Sequence, residues 1–263
     1  MTGDAVLAAA QAIAAARRAH RALEALPVEL QPEHEAAGYL VQRAVHDLLA
    51  PDLGDLVGYK IGCTSKVMQD YLGIPHPCAG GVFGGGVHET GVILRARDFI
   101  RVGVECEIAV RLEHDLPASA APFTAAHVQA AVGACYPAIE IVDDRYVRWE
   151  ALGAPTLIAD DFFAAGCVLG APVFRDVLPD LLTVRGRALI NHQEVGQGTG
   201  ADVLGHPFHA LAWLANHLAS KGRGLQAGQI VLTGSLVKTV WLTPGDRVVM
   251  ELDGLGTVAA GFD

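Results

Sequence analysis

Two spacings of hydrophobic residues divide the chain near residue 52. Before that point the apolar residues follow a helical period, which predicts helices over 4–26 and 32–50. Pro32 suits the first position of the second helix, because the backbone N–H that proline lacks is unpaired there in any case. After residue 52, short alternating runs between glycines and prolines are typical of strands and turns. We therefore expect a helical N-terminal segment over 1–52 and a β-rich domain over 53–263.

The alternating runs also predict individual elements. They indicate strands over 56–62, 102–112, 136–142, 229–233, 247–252 and 255–259, and helices over 64–72, 124–132 and 207–220. Asp253-Gly254, between the last two strands, is typical of a hairpin turn. The glycine-rich stretch 196–200 does not lead from a clear strand into a helix, so we interpret it as a flexible turn. The whole pattern indicates the α+β class.

Composition narrows the kind of protein. The 263 residues are 51% hydrophobic and carry 19 Lys and Arg against 29 Asp and Glu, a formal net charge of −10. This balance disfavours nucleic acid as a partner, because no excess of cations is present to displace counterions from phosphates. The five cysteines are widely spaced and no secretory signal is evident, so we expect a cytoplasmic location. The uncharged stretch 116–139 contains three prolines, which disfavours a membrane helix.

The strand predicted over 102–112 carries two glutamates on one side. Its even-numbered residues are all apolar and define a buried face, so Glu105 and Glu107 point to the opposite face. Their Cα atoms would lie about 7 Å apart, since a strand rises ~3.4 Å per residue. Like charges at this spacing repel unless a cation compensates for them. Two solvated glutamates and two ligands of a divalent cation are both compatible with this pattern.

A third glutamate favours the metal site. Glu140 lies in the middle of the apolar strand predicted over 136–142, where a carboxylate is costly unless it is paired or bound to a metal. Together with Glu105 and Glu107 it would form a set of oxygen ligands without histidine or thiolate. Such a set prefers Mg²⁺ or Mn²⁺ to Zn²⁺.

Lys60 has glycine two residues before it and two residues after it. Gly58, Lys60 and Gly62 share one face of the strand predicted over 56–62, so neighbouring side chains are absent beside the amine. A lysine in a pocket near a cation would have a lowered pKa and could act as a general acid or base. An ordinary edge-strand lysine that discourages aggregation is the alternative interpretation.

Other polar residues are weaker candidates. Thr233-Gly234-Ser235 ends a predicted strand with two hydroxyls and could either cradle a carboxylate or form a plain turn. We interpret Asp143, Asp144, Asp160 and Asp161 as turn and capping residues.

Several segments together resemble the family of 2-keto-4-pentenoate hydratases and 2-oxo-3-hexenedioate decarboxylases, within the fumarylacetoacetate hydrolase superfamily. The similar segments are 58–65 (GYKIGCTS), 104–109 (VECEIA), 137–143 (PAIEIVD), 203–207 (VLGHP) with 212–216 (AWLAN), and 230–236 (IVLTGSL). The resemblance implies a metal site at Glu105, Glu107 and Glu140 and an acid–base role for Lys60. It also implies a mixed β-roll fold of the fumarylacetoacetate hydrolase C-terminal type and a homo-oligomer.

Two positions bear on the substrate that the resemblance implies. Hydratases of the family often carry an acidic residue just before the Leu-Gly-His-Pro stretch, where this chain has Asp202, whereas the related decarboxylases tend to have a small apolar residue there. Asp202 therefore favours hydration. Members also often have an acidic residue between the positions of Pro77 and Gly80, where this chain has Cys78 and Ala79. A substrate-facing acid is therefore expected to be missing.

The expected reaction is addition of water to a 2-hydroxy-2,4-dienoate, a product of aromatic-ring meta-cleavage, to give a 4-hydroxy-2-oxo acid. Lys60 would move a proton, Asp202 would align the water, and Thr233 and Ser235 would hold the substrate carboxylate. Alternatives that stay open are a decarboxylase of 2-oxo-3-hexenedioate (4-oxalocrotonate), an acylpyruvate C–C hydrolase and a non-catalytic partner subunit.

Overall fold

The computed structural model describes residues 1–263. The helices are α1 (Gly3–Arg18), α2 (Glu35–Leu53), α3 (Lys66–Leu72), α4 (Ala125–Ala131), α5 (Ala154–Ala159) and α6 (Pro207–Ala219). The strands are β1 (Leu56–Gly62), β2 (Cys78–Phe83), β3 (Val87–Glu89), β4 (Val92–Leu94), β5 (Val102–Leu112), β6 (Val132–Asp143), β7 (Ala164–Leu169), β8 (Val173–Phe174), β9 (Arg185–Ile190), β10 (Gln193–Thr199), β11 (Ile230–Ser235), β12 (Val240–Trp241), β13 (Asp246–Leu252) and β14 (Gly256–Phe262).

The strands form two mixed sheets. The larger sheet runs in the order β2-β1-β11-β5-β6-β7-β3, with β12 added to β5 and β8 added to β6. The smaller sheet runs β10-β9-β13-β14-β4. Most neighbours are antiparallel, but β1 is parallel to β11, β3 to β7 and β14 to β4. The predicted α+β class with a mixed β-roll is confirmed by this topology.

The main hydrophobic core joins the two sheets and helix α6. It includes Cys106 and Ile108 from β5, Val248 and Met250 from β13, and Leu211 from α6, all fully buried. The even-numbered side chains of β5 point into this core, as their alternation predicts. The other face of β5 is also covered, and it carries the candidate site. No helix in the structure combines the length and the apolarity that a bilayer crossing requires.

The predicted helical boundaries at the N-terminus were only partly right. The first helix ends at Arg18 and not near residue 26, because His20 adopts a left-handed φ of 48° that a helix cannot continue. The second helix begins at Glu35, after His34 accepts a hydrogen bond from the backbone of Ala37. Helix α3 is capped by Ser65 rather than by Thr64. Both helix α2 and strand β1 otherwise lie where the pattern predicts them.

The glycine-rich stretch 196–200 is not a flexible turn, and that interpretation was wrong. Residues 193–199 form strand β10, paired with β9. A Cβ on Gly198 would lie 1.9 Å from the carbonyl oxygen of Leu236, and one on Gly196 would lie 2.3 Å from Cγ1 of Val237. The glycines are therefore required because another segment crosses the strand at backbone distance, which a sequence pattern cannot distinguish from a turn.

Candidate metal centre and active site

Three glutamates meet where β5 and β6 lie side by side. Glu105 and Glu107 are two residues apart on β5, and Glu140 on β6 pairs directly with Glu105. Residues two apart on one strand share a face, and directly paired residues of neighbouring strands share it too. The register therefore brings the three side chains together, and one carboxylate oxygen from each lies within 4.8 Å of the other two.

The glutamates lie on a buried face. Glu107 is 0% exposed and Glu140 is 1% exposed, while Glu105 is partly buried at the edge of the cluster. An exposed strand face with solvated glutamates, the alternative that the sequence left open, is therefore wrong. Strand alternation predicted the side that the carboxylates share, but it could not show that a second layer covers that side.

The cluster fits a hard divalent cation. Oε1 of Glu107 and Oε2 of Glu140 are buried and receive no hydrogen bond. Buried carboxylate oxygens without a donor are costly and rare in folded proteins. Three carboxylates also supply the oxygen ligands that Mg²⁺ and Mn²⁺ prefer. Glu105, Glu107 and Glu140 are thus suited to hold such an ion.

One backbone N–H and one side-chain hydroxyl donate hydrogen bonds to carboxylate oxygens of the cluster. The N–H of Gly234 donates to Oε2 of Glu107 at 2.8 Å, and the hydroxyl of Thr239 donates to Oε1 of Glu105. Gly234 has a φ of 123°, and a Cβ there would lie 2.6 Å from the side chain of Thr64. Sequence reasoning missed Thr239, which carries no motif. It named Gly234 only as part of a stretch that could cradle a carboxylate or form a plain turn, and not as a donor to Glu107.

Lys60 reaches the cluster from β1. Its Nζ lies 3.0 Å from Oε1 of Glu140, and the residue is only 4% exposed. Strand β1 lies between β2 and β11. The alternative interpretation of Lys60 as an edge-strand lysine is therefore wrong, and the structure brings Lys60 together with the three predicted metal ligands.

The charges in this pocket shift one another's pKa. Burial and the charge of Glu140 raise the pKa of Glu105 to about 7, although Lys60 and the Thr239 hydroxyl oppose the shift. Burial and the two neighbouring carboxylates raise the pKa of Glu107 well above its ordinary value. Burial lowers the pKa of Lys60, but Glu140 and Glu105 outweigh it and the net shift is upward. The lowered pKa expected for Lys60 presupposed a cation, and the carboxylates alone have the opposite effect.

Thr233 and Ser235 lie beside the cluster, but their hydroxyls are engaged. Thr233 is fully buried and donates to the carbonyl oxygen of Ile108 at 2.8 Å. Ser235 pairs with Glu107 across the strands and donates to the carbonyl oxygen of Val237. Their predicted contact with a substrate carboxylate stays a prediction, and both hydroxyls have a structural role in the observed arrangement.

Asp202 does not contact the cluster. It is exposed, and its Oδ2 accepts hydrogen bonds from the backbone N–H (2.7 Å) and hydroxyl (3.1 Å) of Thr199. The loop that carries Asp202 is nevertheless held near the site. The backbone N–H of Leu204 donates to the carbonyl oxygen of Thr64, and the side chain of Thr64 lies against Gly234. A role for Asp202 in aligning water stays a prediction.

Strand β2 forms the wall beyond Lys60. Gly80 pairs with Lys60, and Cys78 pairs with Gly62. Positions 78 and 79 are buried, and because they hold cysteine and alanine they place no acidic side chain in the pocket. The prediction that a substrate-facing acid is missing from this chain, and its consequence for the substrate, stays a prediction.

The fold and the site define a class of protein: a mixed-sheet protein with a buried cluster of three carboxylates suited to a divalent cation and with an adjacent lysine. Residues 86–262 match the model of the fumarylacetoacetate (FAA) hydrolase C-terminal family. The chain is 37% identical over 227 residues to a 2-keto-4-pentenoate hydratase of Burkholderia vietnamiensis, which covers 85% of this chain and 84% of the relative. It is 36% identical over 209 residues to a 2-hydroxyhexa-2,4-dienoate hydratase of Comamonas testosteroni, and the match covers 79% of this chain and 78% of the relative.

The fold is also similar to a solved structure. The 4-oxalocrotonate decarboxylase from Pseudomonas putida G7, complexed with magnesium and adipate, superposes with a TM-score of 0.94 and 28% identity, covering 100% of this chain and 99% of that one. The chain belongs to the fumarylacetoacetate hydrolase C-terminal family, and the family resemblance read from the sequence is confirmed.

Proposed function

We propose that this protein is a divalent-metal-dependent hydratase that adds water to a 2-hydroxy-2,4-dienoate of the 2-oxopent-4-enoate type and releases a 4-hydroxy-2-oxo acid. The observation that carries the proposal is the convergence of Glu105, Glu107 and Glu140 with Lys60 3.0 Å from Glu140. Similarity to hydratases that act on such dienoates supports it over most of the chain.

The three glutamates would hold Mg²⁺ or Mn²⁺. When bound, the cation would supply a Lewis acid that stabilises negative charge on the 2-oxygen of the substrate. Lys60 would deliver a proton to C5 of the dienol as its hydroxyl proton leaves, which converts the dienol to an unsaturated ketone. Water would then add its oxygen to C4, and a proton would be delivered to C3, so that one water molecule is consumed and no other product leaves.

The roles of Asp202, Thr233 and Ser235 belong to this proposal. Asp202 would accept a proton from the attacking water after a movement of the loop that now engages its carboxylate at Thr199. Ser235, which is partly exposed beside Glu107, would turn its hydroxyl from a backbone carbonyl to the substrate carboxylate, with Thr233 behind it.

Decarboxylation of 2-oxo-3-hexenedioate (4-oxalocrotonate) is the second candidate. The superposition on 4-oxalocrotonate decarboxylase along the whole chain favours it. The same metal-bound carboxylates and lysine would serve both reactions, because each develops negative charge on a 2-oxygen. Asp202 favours hydration over this candidate, because the family resemblance implies a small apolar residue at that position in the decarboxylases.

A single experiment separates the two. Purified protein with Mg²⁺ is mixed with a 2-hydroxy-2,4-dienoate, and separately with 2-oxo-3-hexenedioate, while ultraviolet absorbance and released CO₂ are measured together. Hydration predicts loss of the dienoate chromophore without gas, and chelator removes the activity. Release of CO₂ in proportion to substrate consumed identifies the decarboxylase, and no turnover of either compound rejects both.

We also propose that the protein assembles as a homo-oligomer in the cytoplasm and takes a small molecule as its only substrate partner. The homo-oligomer is what the family resemblance implies. Light scattering on the purified chain measures the mass of the assembly, and a monomer at micromolar concentration would refute it.

A further inference from the structure

A turn of unusual backbone conformation borders the site. Asp161, Phe162 and Phe163 adopt consecutive positive φ angles of 58°, 47° and 68°. L-residues rarely adopt this region, and each costs free energy. A run of three persists only where the surrounding contacts enforce it, and such runs concentrate at functional sites. We call residues 161–163 the left-handed turn.

One buried arginine ties the two ends of the left-handed turn together. Nε of Arg145 donates to Oδ2 of Asp160 at 2.9 Å, and Nη2 donates to the carbonyl oxygen of Asp160 at 2.8 Å. Nη1 donates to the carbonyl oxygens of Phe163 and Ala164 at 3.2 and 3.1 Å. A single planar guanidinium therefore binds the chain before and after the turn, which a flexible ammonium could not do with the same geometry.

The turn is also held through its own carboxylate. Asp161 is 0% exposed, and its Oδ1 accepts a hydrogen bond from the N–H of Gly81 at 2.9 Å and lies 2.7 Å from Nε2 of His46. Its Oδ2 lies 3.5 Å from Nη1 of Arg17, which also reaches Asp160. Side chains from helices α1 and α2 thus converge on one residue of the turn.

The left-handed turn and the lysine of the site lie beside the same two glycines, Gly80 and Gly62. A Cβ on Gly80 would lie 2.9 Å from the carbonyl oxygen of Asp161 and 3.2 Å from Cγ of Lys60. A Cβ on Gly62 would lie 3.4 Å from Nζ of Lys60 and 3.9 Å from Cβ of Phe162. The turn therefore borders the lysine from its stem to its amine, in the space that these two glycines leave open.

We propose that Asp161 and Arg145 are positioning residues, which fix the left-handed turn against Lys60 and thereby hold its amine in line with Glu140. Neither residue touches the reacting atoms, and both act through the turn. The effect on turnover rests on the proposed function. The effect on the position of the amine does not, because it concerns the folded chain alone.

The first arm of the test measures the amine directly in metal-free protein. Acetic anhydride is added to wild type, Asp161→Asn and Arg145→Lys, and acetylation of Lys60 is mapped by mass spectrometry with the exposed Lys66 as the internal reference. Asparagine tolerates the left-handed region and keeps an acceptor for Gly81, while lysine keeps the charge of Arg145 but not its fork. We expect several-fold more acetylation of Lys60 in both variants.

The second arm measures turnover with Mg²⁺. A displacement on the order of 1 Å can cost a factor of about 100, so kcat is expected to fall about 10- to 100-fold, with KM and the Mg²⁺-induced rise in Tm kept. Asp246→Asn is the matched control, because this exposed carboxylate accepts hydrogen bonds from Thr243 and Asn191 in the other sheet. It should lower Tm and leave both kcat and the acetylation of Lys60 unchanged.

Variants that melt lower but keep the acetylation of Lys60 and the kcat of wild type would show that the turn is merely structural, and would overturn the proposal. If Asp161→Asn does not fold, Arg145→Lys decides the question on the same two readings. If wild type turns over no dienoate, the proposed function fails, while the acetylation comparison still decides whether the turn positions the amine.

Discussion

At the scale of single residues, the amine of Lys60 and the carboxylate of Glu140 make each other's burial possible. An isolated buried ammonium or carboxylate is strongly disfavoured, but the two lie 3.0 Å apart. Glu105 and Glu107 add negative charge that one lysine cannot balance. The three carboxylates therefore repel one another in the metal-free protein, and a divalent cation held between them would offset that repulsion.

Replacing Lys60 tests this reasoning and the proposed chemistry together. Lys60→Met keeps the apolar stem and removes the amine, so we expect kcat to fall by about 100-fold or more, the range that general acid–base groups contribute. The three glutamates proposed as metal ligands are intact, so calorimetry should still detect Mg²⁺ binding. Lys66→Met, at an exposed lysine of helix α3, is the control and should keep full activity. Full activity of Lys60→Met would remove the lysine from the mechanism.

The raised pKa values of the glutamates predict how stability depends on pH. The pKa of Glu105 is raised from 4.5 to about 7, and that of Glu107 lies well above its ordinary value. A carboxyl whose pKa is raised in the folded state stabilises the fold below its unfolded pKa, and this contribution is lost as the pH rises through the folded pKa. The metal-free protein should therefore melt several degrees lower at pH 8 than at pH 5, since about 1 kcal/mol shifts Tm by roughly 2–4 °C in a chain of this size.

Mg²⁺ should reverse that trend, because it binds deprotonated carboxylates. Thermal melting in chelator and in Mg²⁺ at the two pH values gives the comparison, and the rise in Tm on adding Mg²⁺ is expected to be larger at pH 8. Glu107→Gln, which removes one titrating group, should flatten the pH dependence in chelator. An equal effect of Mg²⁺ at both pH values would contradict the assignment of these carboxylates as its ligands.

At the scale of elements, strand alternation predicted which side chains of the site share a face, and the pairing of β5 with β6 brings them together. The alternation of β5 placed Glu105 and Glu107 on one side, and the apolar run around Glu140 showed that its carboxylate needs a partner. Neither pattern contains the register that sets Glu140 opposite Glu105, because register depends on the partner strand. The buried Asp160 and Asp161 were interpreted as turn and capping residues for the same reason, since their arginine partners lie far away in sequence.

The crossing of β10 by residues 236–237 supports the segment that carries Thr239. A Cβ on Gly198 would overlap the carbonyl oxygen of Leu236, so Gly198→Ala forces the two backbones apart and should lower the free energy of unfolding by about 1–3 kcal/mol. Urea denaturation measures the change. Gly3→Ala, at a helical position with nothing within 4 Å, is the control and should be neutral or slightly stabilising. Equal stability of both variants would show that the crossing is easily displaced.

At the scale of the whole molecule, the N-terminal helices are packed into the body of the protein. Ile13 of α1 and Val45 of α2 share a buried cluster with Phe83 of β2 and Ala159 of α5. The family model begins only at residue 86, yet α1 and α2 supply Arg17 and His46 to the left-handed turn. Residue 52 therefore separates helices from strands along the sequence. That it is also a boundary between domains stays a prediction.

Deleting residues 1–52 tests whether that boundary separates independent units. The deletion exposes Phe83 and Ala159 and leaves the carboxylate of Asp161 without His46 and Arg17, so we expect residues 53–263 to lose cooperative unfolding and near-ultraviolet circular dichroism.

A single substitution in α2 also tests whether the rest of the chain depends on the N-terminal helices. Gln42 of α2 donates from Nε2 to the carbonyl oxygens of Ala79 and Ile158, each at 2.8 Å, so Gln42→Leu removes a donor from two buried acceptors and should cost about 1–3 kcal/mol. Leu40→Gln, at an exposed position of the same helix, should cost almost nothing. A truncated chain that unfolds cooperatively, together with a Gln42→Leu variant as stable as wild type, would show that β1–β14 fold without the helices. Loss of stability in both would instead mean that the strands around Lys60 depend on the N-terminal segment for their shape.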